Sequence, residues 1–283
     1  MSTKRLLIKI HWILSSQVGV DPRRFVRALL ATPAFVRDYA RFRRAYRGRA
    51  FLRPCLHDRF DEGGATKDEY FWQDLLVARW IHQANPVHHV DVGSRVDGFV
   101  AHLAAFRTVE VFDVRRITSE IPGVTFSQRD MMDVSSVSSL TASGAGYCDS
   151  ISCLHALEHF GLGRYGDPID PKGYEKGIAN MAGLLRAGGV LYLSTPIGRE
   201  RVEFNANWVF DPRTILRLAE AVGLAHESLT IVRSGLEVET ASMDATAMET
   251  LALEDYNLGI FTFRKGESQD GRQPRAVKKQ NLG

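Results

Sequence analysis

From residue 88 onward, short apolar runs alternate with helical patterns, and this alternation constrains the fold more than any other feature. The runs are His88–Val92, Val109–Phe112, Val124–Ser127, Ser150–Leu154 and Val190–Ser194. Each has the length of a strand. Helical spacing fills most gaps, notably Phe99–Phe106, Tyr174–Leu185 and Pro212–Val222, and two later runs, Leu229–Arg233 and Leu258–Arg264, follow the last of these helices. The pattern predicts an α/β fold: a doubly wound, mostly parallel seven-stranded sheet with helices on both faces.

Upstream the pattern changes. Residues 48–65 read as a loop, and Thr66-x-x-Glu69 is a capping box that predicts a helix through Phe71, Leu75, Leu76 and Trp80 to Asn85-Pro86. Pro22 and Pro33 predict three short pieces before that loop. In the last piece Phe35, Tyr39, Phe42 and Tyr46 form an aromatic stripe, with Arg37, Arg41 and Arg44 on the opposite face. The stripe is expected either to pack on the main domain or to meet an anionic membrane surface or acidic partner.

Charge follows the same division. Residues 1–53 hold 13 Lys and Arg against Asp21 and Asp38, whereas residues 54–264 hold 18 basic and 29 acidic residues. The expected organisation is a basic helical segment over 1–53, an α/β domain over 54–264 and a polar, disordered tail over 265–283. An acidic central domain argues against a nucleic-acid partner, and an anionic partner would meet residues 1–50. Three cysteines, none in CxxC spacing, suit a reducing, cytoplasmic setting. The apolar stretch Leu6–Val20 is broken by Lys9 and His11 and is shorter than the roughly 20 residues that a membrane span needs.

Chemistry is expected at the strand ends. The first strand runs into Val90-Asp91-Val92-Gly93-Ser94-Arg95-Val96-Asp97-Gly98, a glycine turn before a helix, where free backbone amides can meet a ligand. Asp113 follows the second strand and can accept bonds from both hydroxyls of a ribose, while Asp130 follows the third and can accept one from an exocyclic amine. Turn-forming preference alone would also put Asp and Gly at such positions. His155-x-x-Glu158-His159 has the HxxEH spacing of a metal protease, but glycines 161, 163 and 166 follow it closely, so no metal is expected there.

The order of these elements over residues 66–264 resembles the SAM-dependent methyltransferase superfamily. The resemblance implies that Asp91, Gly93, Ser94 and Gly98 hold the methionyl part of S-adenosylmethionine (SAM), Asp113 the ribose and Asp130 the adenine, with His155 cradled under the cofactor or serving as a base. Arg95 stands where that family has the middle glycine of its turn, and either crowds the cofactor or contacts its carboxylate. The segments HVDVGSRVDGFVAHL, LHALEHFGLGRYGDPID and STPIGRERVEFNA resemble, more closely still, a group of bacterial methyltransferase-like proteins of unassigned function.

The insertion from Phe160 to Pro171 lies beyond the fourth strand, on the side where open α/β sheets bind ligands, and carries Arg164, Tyr165, Asp167 and Asp170. A second polar stretch, Arg199 to Asn207, follows the fifth strand and should face the same cleft. His159 is the expected general base, with Asp167 second and Arg164 and Tyr165 beside them. Such a cleft suits a small polar, anionic or glycan-type acceptor methylated on oxygen, and with the basic N-terminal helix the expectation extends to a membrane-linked glycan intermediate of polysaccharide biosynthesis. Two rival functions are a non-catalytic binding or scaffold protein that kept the fold and, on the HxxEH spacing, a metal-dependent hydrolase.

Overall fold

The computed structural model describes residue 11 and residues 13–267, apart from 62, 65, 67, 143 and 234–236. The proposed disordered tail from residue 268, the first ten residues and part of the Thr66–Glu69 motif lie outside the described residues. The chain divides into two compact units, Met1–Ala65 and Thr66–Gly283.

The first unit is built on one helix, α1 (Pro22–Ala45). Asp21 caps it by accepting the Arg23 N–H at 2.9 Å, and Pro22 occupies the first helical position, where no N–H is needed. Pro33 does not divide the segment: it lies inside the continuous helix. Its ring costs one backbone hydrogen bond on a side where Leu29 and Leu30 face water, so solvent can satisfy the released carbonyl. Ala31, Phe35, Tyr39 and Phe42 line a hollow shared with Cys55, Leu56 and Arg59 of the segment that follows. Arg27–Asp61 at 2.8 Å and Arg59–Asp38 at 3.2 Å pin that segment to the helix. Much of the aromatic stripe therefore meets its own unit.

The second unit holds an eight-stranded sheet in the order β3-β2-β1-β4-β5-β10-β8-β9, one strand more than expected. Its strands are β1 (His89–Val92), β2 (Val109–Asp113), β3 (Val124–Gln128), β4 (Cys148–Leu154), β5 (Leu185–Ile197), β8 (Leu224–Val232), β9 (Val238–Thr240) and β10 (Asn257–Lys265). β1 to β5 run parallel; β10 enters antiparallel between β5 and β8. The additional strand, β9, is a three-residue exposed edge. A two-stranded ribbon, β6 (Arg201–Glu203) with β7 (Asn207–Val209), forms the polar stretch after β5.

Helices cover both faces. α2 (Glu69–Ala84) and the turn leading into α3 (Ala101–Ala104) bury Val77, Ile81, Phe99 and Leu103 against one side. On the other lie α4 (Val134–Thr141), α5 (Gly173–Leu184), α6 (Pro212–Ala221) and α7 (Ala245–Leu253), burying Val137, Ile178, Met181, Ile215 and Leu251. Each such side chain contributes about 1.5–3 kcal/mol. Asp68, not Thr66, caps α2, accepting the Tyr70 N–H at 3.0 Å; Asn85, left-handed at φ 45°, ends it. The chain crosses from β3 back to β4, which pairs with β1 on the side away from β2. This reversal opens a crevice at the carboxyl ends of β1, β2 and β4.

Candidate functional site

The site is assembled from the residue that ends each of these strands. Asp91 of β1 is buried and accepts from Ser94 N (3.1 Å), Ser94 Oγ (2.6 Å) and Ser152 Oγ of β4 (2.6 Å). Ser94 Oγ in turn accepts the Leu154 N–H at 3.2 Å. Asp91 and Ser94 thus lie beneath the glycine turn and tie it to β4. Burial pushes the Asp91 carboxyl up to about 7, against the opposing pull of these bonds. Gly93 tops the turn at φ 70°, with the Ala156 methyl 3.0 Å from where a Cβ would stand, so a side chain there would meet both strain and a neighbour.

Around this turn lies a narrow cleft, open to solvent on one side. Val92, Phe112, Met131, Ala156 and Phe160 give it apolar lining; Gly93, Asp113, Asp130, His159, Tyr165 and Asp167 also line it, together with Arg115 and Arg129. Six of the expected site residues are therefore brought together. Asp130 accepts the Met132 N–H at 2.8 Å, which fixes its carboxylate at the end of β3.

Asp113 has a partner that the sequence did not reveal. Arg115 binds it through Nη2 (2.6 Å), Nε (3.0 Å) and its own N–H (2.8 Å), and the guanidinium stacks 4.3 Å from the Tyr165 ring centre. The insertion is thereby joined to β2 across the cleft mouth. Its shape is fixed from within: Asp167 accepts from the Gly163 and Tyr165 amides at 3.2 and 3.1 Å. Gly161, at φ 77°, lies so close to Asp170 that a Cβ would stand 1.8 Å from its carbonyl oxygen.

His159 faces the same cleft. Its Nδ1 lies 2.7 Å from the Ala206 carbonyl oxygen, so Nδ1 carries the proton and Nε2 is left as an acceptor. Arg164 Nη1 is 3.2 Å from each ring nitrogen and 3.0 Å from the same carbonyl. Burial, reinforced by the Arg164 charge and opposed by Glu158, holds the imidazole below its ordinary pKa. The His159–Ala206 bond is also where the two polar stretches meet; Arg199 to Asn207 otherwise adds nothing to the cleft lining.

Arg95, Gly98 and His155 fall outside that lining. Arg95 turns to Asp97, at 2.9 and 3.2 Å, and over the Tyr70 ring at 5.7 Å. Gly98 leaves room for Asp74 of α2, whose Oδ2 is 2.7 Å from the site of a Cβ. His155, left-handed at φ 50°, places Nδ1 2.7 Å from Glu158 and Nε2 3.5 Å from Glu69, with its ring 4.4 Å from that of Tyr70. Burial opposes its charge, yet Glu158, Glu69 and Asp74 keep its pKa above the ordinary value. The HxxEH residues do not share a helix: His155 precedes a short turn, Leu157–His159, and both imidazoles lie beside the same Glu158 oxygen, at 2.7 and 3.9 Å, so that the intervening acid pairs with the histidines. That geometry removes the basis for the hydrolase expectation. Glu69, Tyr70, Asp74 and Tyr256, whose hydroxyl donates to Glu69 at 2.5 Å, surround His155 without having been foreseen. Glu69 and Tyr256 lie 187 residues apart, and no local pattern links them.

Among solved structures, the chain is similar to the 1,6-didemethyltoxoflavin-N1-methyltransferase of Burkholderia thailandensis (14% identity, TM-score 0.46, 71% of this chain and 80% of that one). It is also similar to the [4+2]-cyclase SpnF (15%, 0.49, 74% and 86%). The N-methyltransferase NodS of Bradyrhizobium japonicum WM9, in complex with S-adenosyl-L-homocysteine, gives 14%, 0.46, 71% and 90%. No curated protein matches in sequence. Residues 105–260, more than half of the chain, match the model of the family described as "Caenorhabditis protein of unknown function, DUF268", and the chain belongs to that family.

Proposed function

We propose that this protein transfers a methyl group from SAM to a hydroxyl of a small polar or glycan-type acceptor, in the cytoplasm. The observation that carries this reading is the cleft itself, with Asp113 and Asp130 at the ends of adjacent strands and a neutral imidazole on the facing wall. The residues fit an adenosyl group. An apolar lining suits a purine, a buried strand-end carboxylate suits a ribose diol, and the turn at Gly93 offers backbone where a side chain has no room. When bound, SAM supplies the electrophilic methyl group.

The chain's own part is positioning and proton removal. Orienting an acceptor against a fixed partner supplies most of the acceleration in such transfers. His159 Nε2, its tautomer set by Ala206, takes the hydroxyl proton. Asp167 keeps the insertion folded so that Tyr165 closes one side.

A second reading, a non-catalytic binding protein, is favoured by one feature: Arg115 already occupies the Asp113 carboxylate. Calorimetry with S-adenosylhomocysteine separates the two. Methyl transfer requires binding that Asp113→Ala weakens by about 1–3 kcal/mol, the scale of a charge-assisted hydrogen bond. No heat with folded protein at millimolar ligand would leave the binding-protein reading.

A further inference from the structure

α1 has two apolar faces, and the described residues of its own unit leave one of them largely exposed. At 100° per residue, Phe25, Val26, Leu29, Leu30 and Val36 fall within an arc of about 140°. They are exposed, Phe25 at 65%, Leu29 at 58% and Leu30 at 67%. They lie away from Ala31, Phe35 and Phe42, which face the hollow beside Cys55 and Leu56. Arginines border the exposed arc: Arg23 and Arg41 along one edge and Arg43 at the other, with Arg37 and Arg44 within it, while Arg27 is engaged with Asp61. The outward face carries no acid. Asp38 bridges Arg59 at 3.2 Å and Arg37 at 3.3 Å from outside the arc, and Asp21 is spent on the helix cap.

A wide apolar arc edged by long cationic side chains suits an interface with an apolar layer below and anions above. Such a face repels a second copy of itself. No described helix is long and apolar enough to cross a bilayer. We propose that the outward face of α1 lies on an anionic membrane surface, with Phe25, Val26, Leu29, Leu30 and Val36 entering the headgroup boundary and the arginines binding lipid phosphates. The sequence expectation concerned the Phe35/Tyr39/Phe42/Tyr46 stripe, either packed on the main domain or set against an anionic surface or acidic partner; the face proposed here is a different one. It stands independently of the methyl-transfer reading.

The test is flotation of the full chain with vesicles of phosphatidylcholine alone and of phosphatidylcholine with phosphatidylglycerol, at low and high salt. Binding to the anionic vesicles, weakened by salt, is expected. Leu29→Asp with Leu30→Asp should abolish it. Arg37→Gln with Arg41→Gln and Arg44→Gln should weaken it on the order of a hundredfold, from three arginines each contributing about fivefold. Melting temperatures of both variants should match the parent. Equal binding to both vesicle types, or none, overturns the proposal. So does a fall in melting temperature of the leucine variant, which would mean that the face packs on the rest of the chain. A concentration-dependent dimer that the leucine variant loses would assign the face to a second copy and overturn it equally. The arginine variant alters exposed side chains alone and reads the electrostatic part independently: unchanged binding to the anionic vesicles in that variant overturns the proposal as well.

Discussion

The most consequential residue in the cleft is Arg115, because it holds the carboxylate that a ribose would need. A ligand diol must displace a bidentate ion pair and a guanidinium–ring stack before it reaches Asp113. Arg115→Ala is therefore expected to tighten S-adenosylhomocysteine binding several-fold, as calorimetry would read, while Asp113→Ala weakens it; weaker binding in both would make Arg115 a ligand contact instead. His159 carries the second residue-scale prediction. His159→Gln should lower turnover by about 10²–10⁴-fold, the usual contribution of a general base, with S-adenosylhomocysteine affinity little changed. Because burial and Arg164 depress its pKa, the acid limb of kcat should lie below the ordinary imidazole value of about 6.5. Arg164→Gln should move that limb upward; an unmoved limb would show that another group is titrating. Asp113 and Asp130 were legible because an acid at or just beyond a strand end is a local pattern, and His159 because it lies in the segment that follows the fourth strand. Arg115 is only two residues from Asp113, but spacing does not say which of two neighbouring side chains will turn back on the other.

At the scale of the element, β1 carries two titratable groups that pull stability in opposite directions. His89 is fully buried between Ser150 Oγ (2.9 Å) and Ser152 Oγ (3.0 Å), and burial lowers its pKa to about 3. The unfolded chain takes up that proton below about 6.5, so His89 removes stability as pH falls from there towards 3. Burial raises Asp91 to about 7. The unfolded chain releases that proton above about 3.9, so Asp91 removes stability as pH rises from there through 7. Between these limits the two slopes oppose one another. Asp91→Asn should leave His89 unopposed and make stability rise with pH more steeply than in the parent, by up to about 1.4 kcal/mol per unit between pH 4.5 and 6. Denaturant unfolding across that range measures it, and an unchanged slope would contradict the assignment. A strand such as β5 was easy to find, since its burial leaves the apolar run Val190-Leu191-Tyr192-Leu193. β9 was not, because Val238, Glu239 and Thr240 are all exposed and only backbone pairing with β8 makes them a strand. Pro33 misled for the converse reason: a helix with a wet side can lose one hydrogen bond and continue.

At the scale of the molecule, both large clusters of buried side chains draw on residues from Val77 onward, so the α/β unit has a core of its own. A chain beginning at residue 66 is expected to fold and unfold cooperatively, with a melting temperature within a few degrees of the full protein, by calorimetry. A broad, non-cooperative transition would mean that the first unit completes that core. The cysteines distinguish the units chemically. Cys148 and Cys153 are buried, their thiols pushed well up by desolvation, while Cys55 is exposed beside the inner face of α1. A thiol-reactive fluorophore should therefore attach once per native chain, in the first unit, next to Phe35, Tyr39 and Phe42. The label would report on movement of that helix without any engineered cysteine.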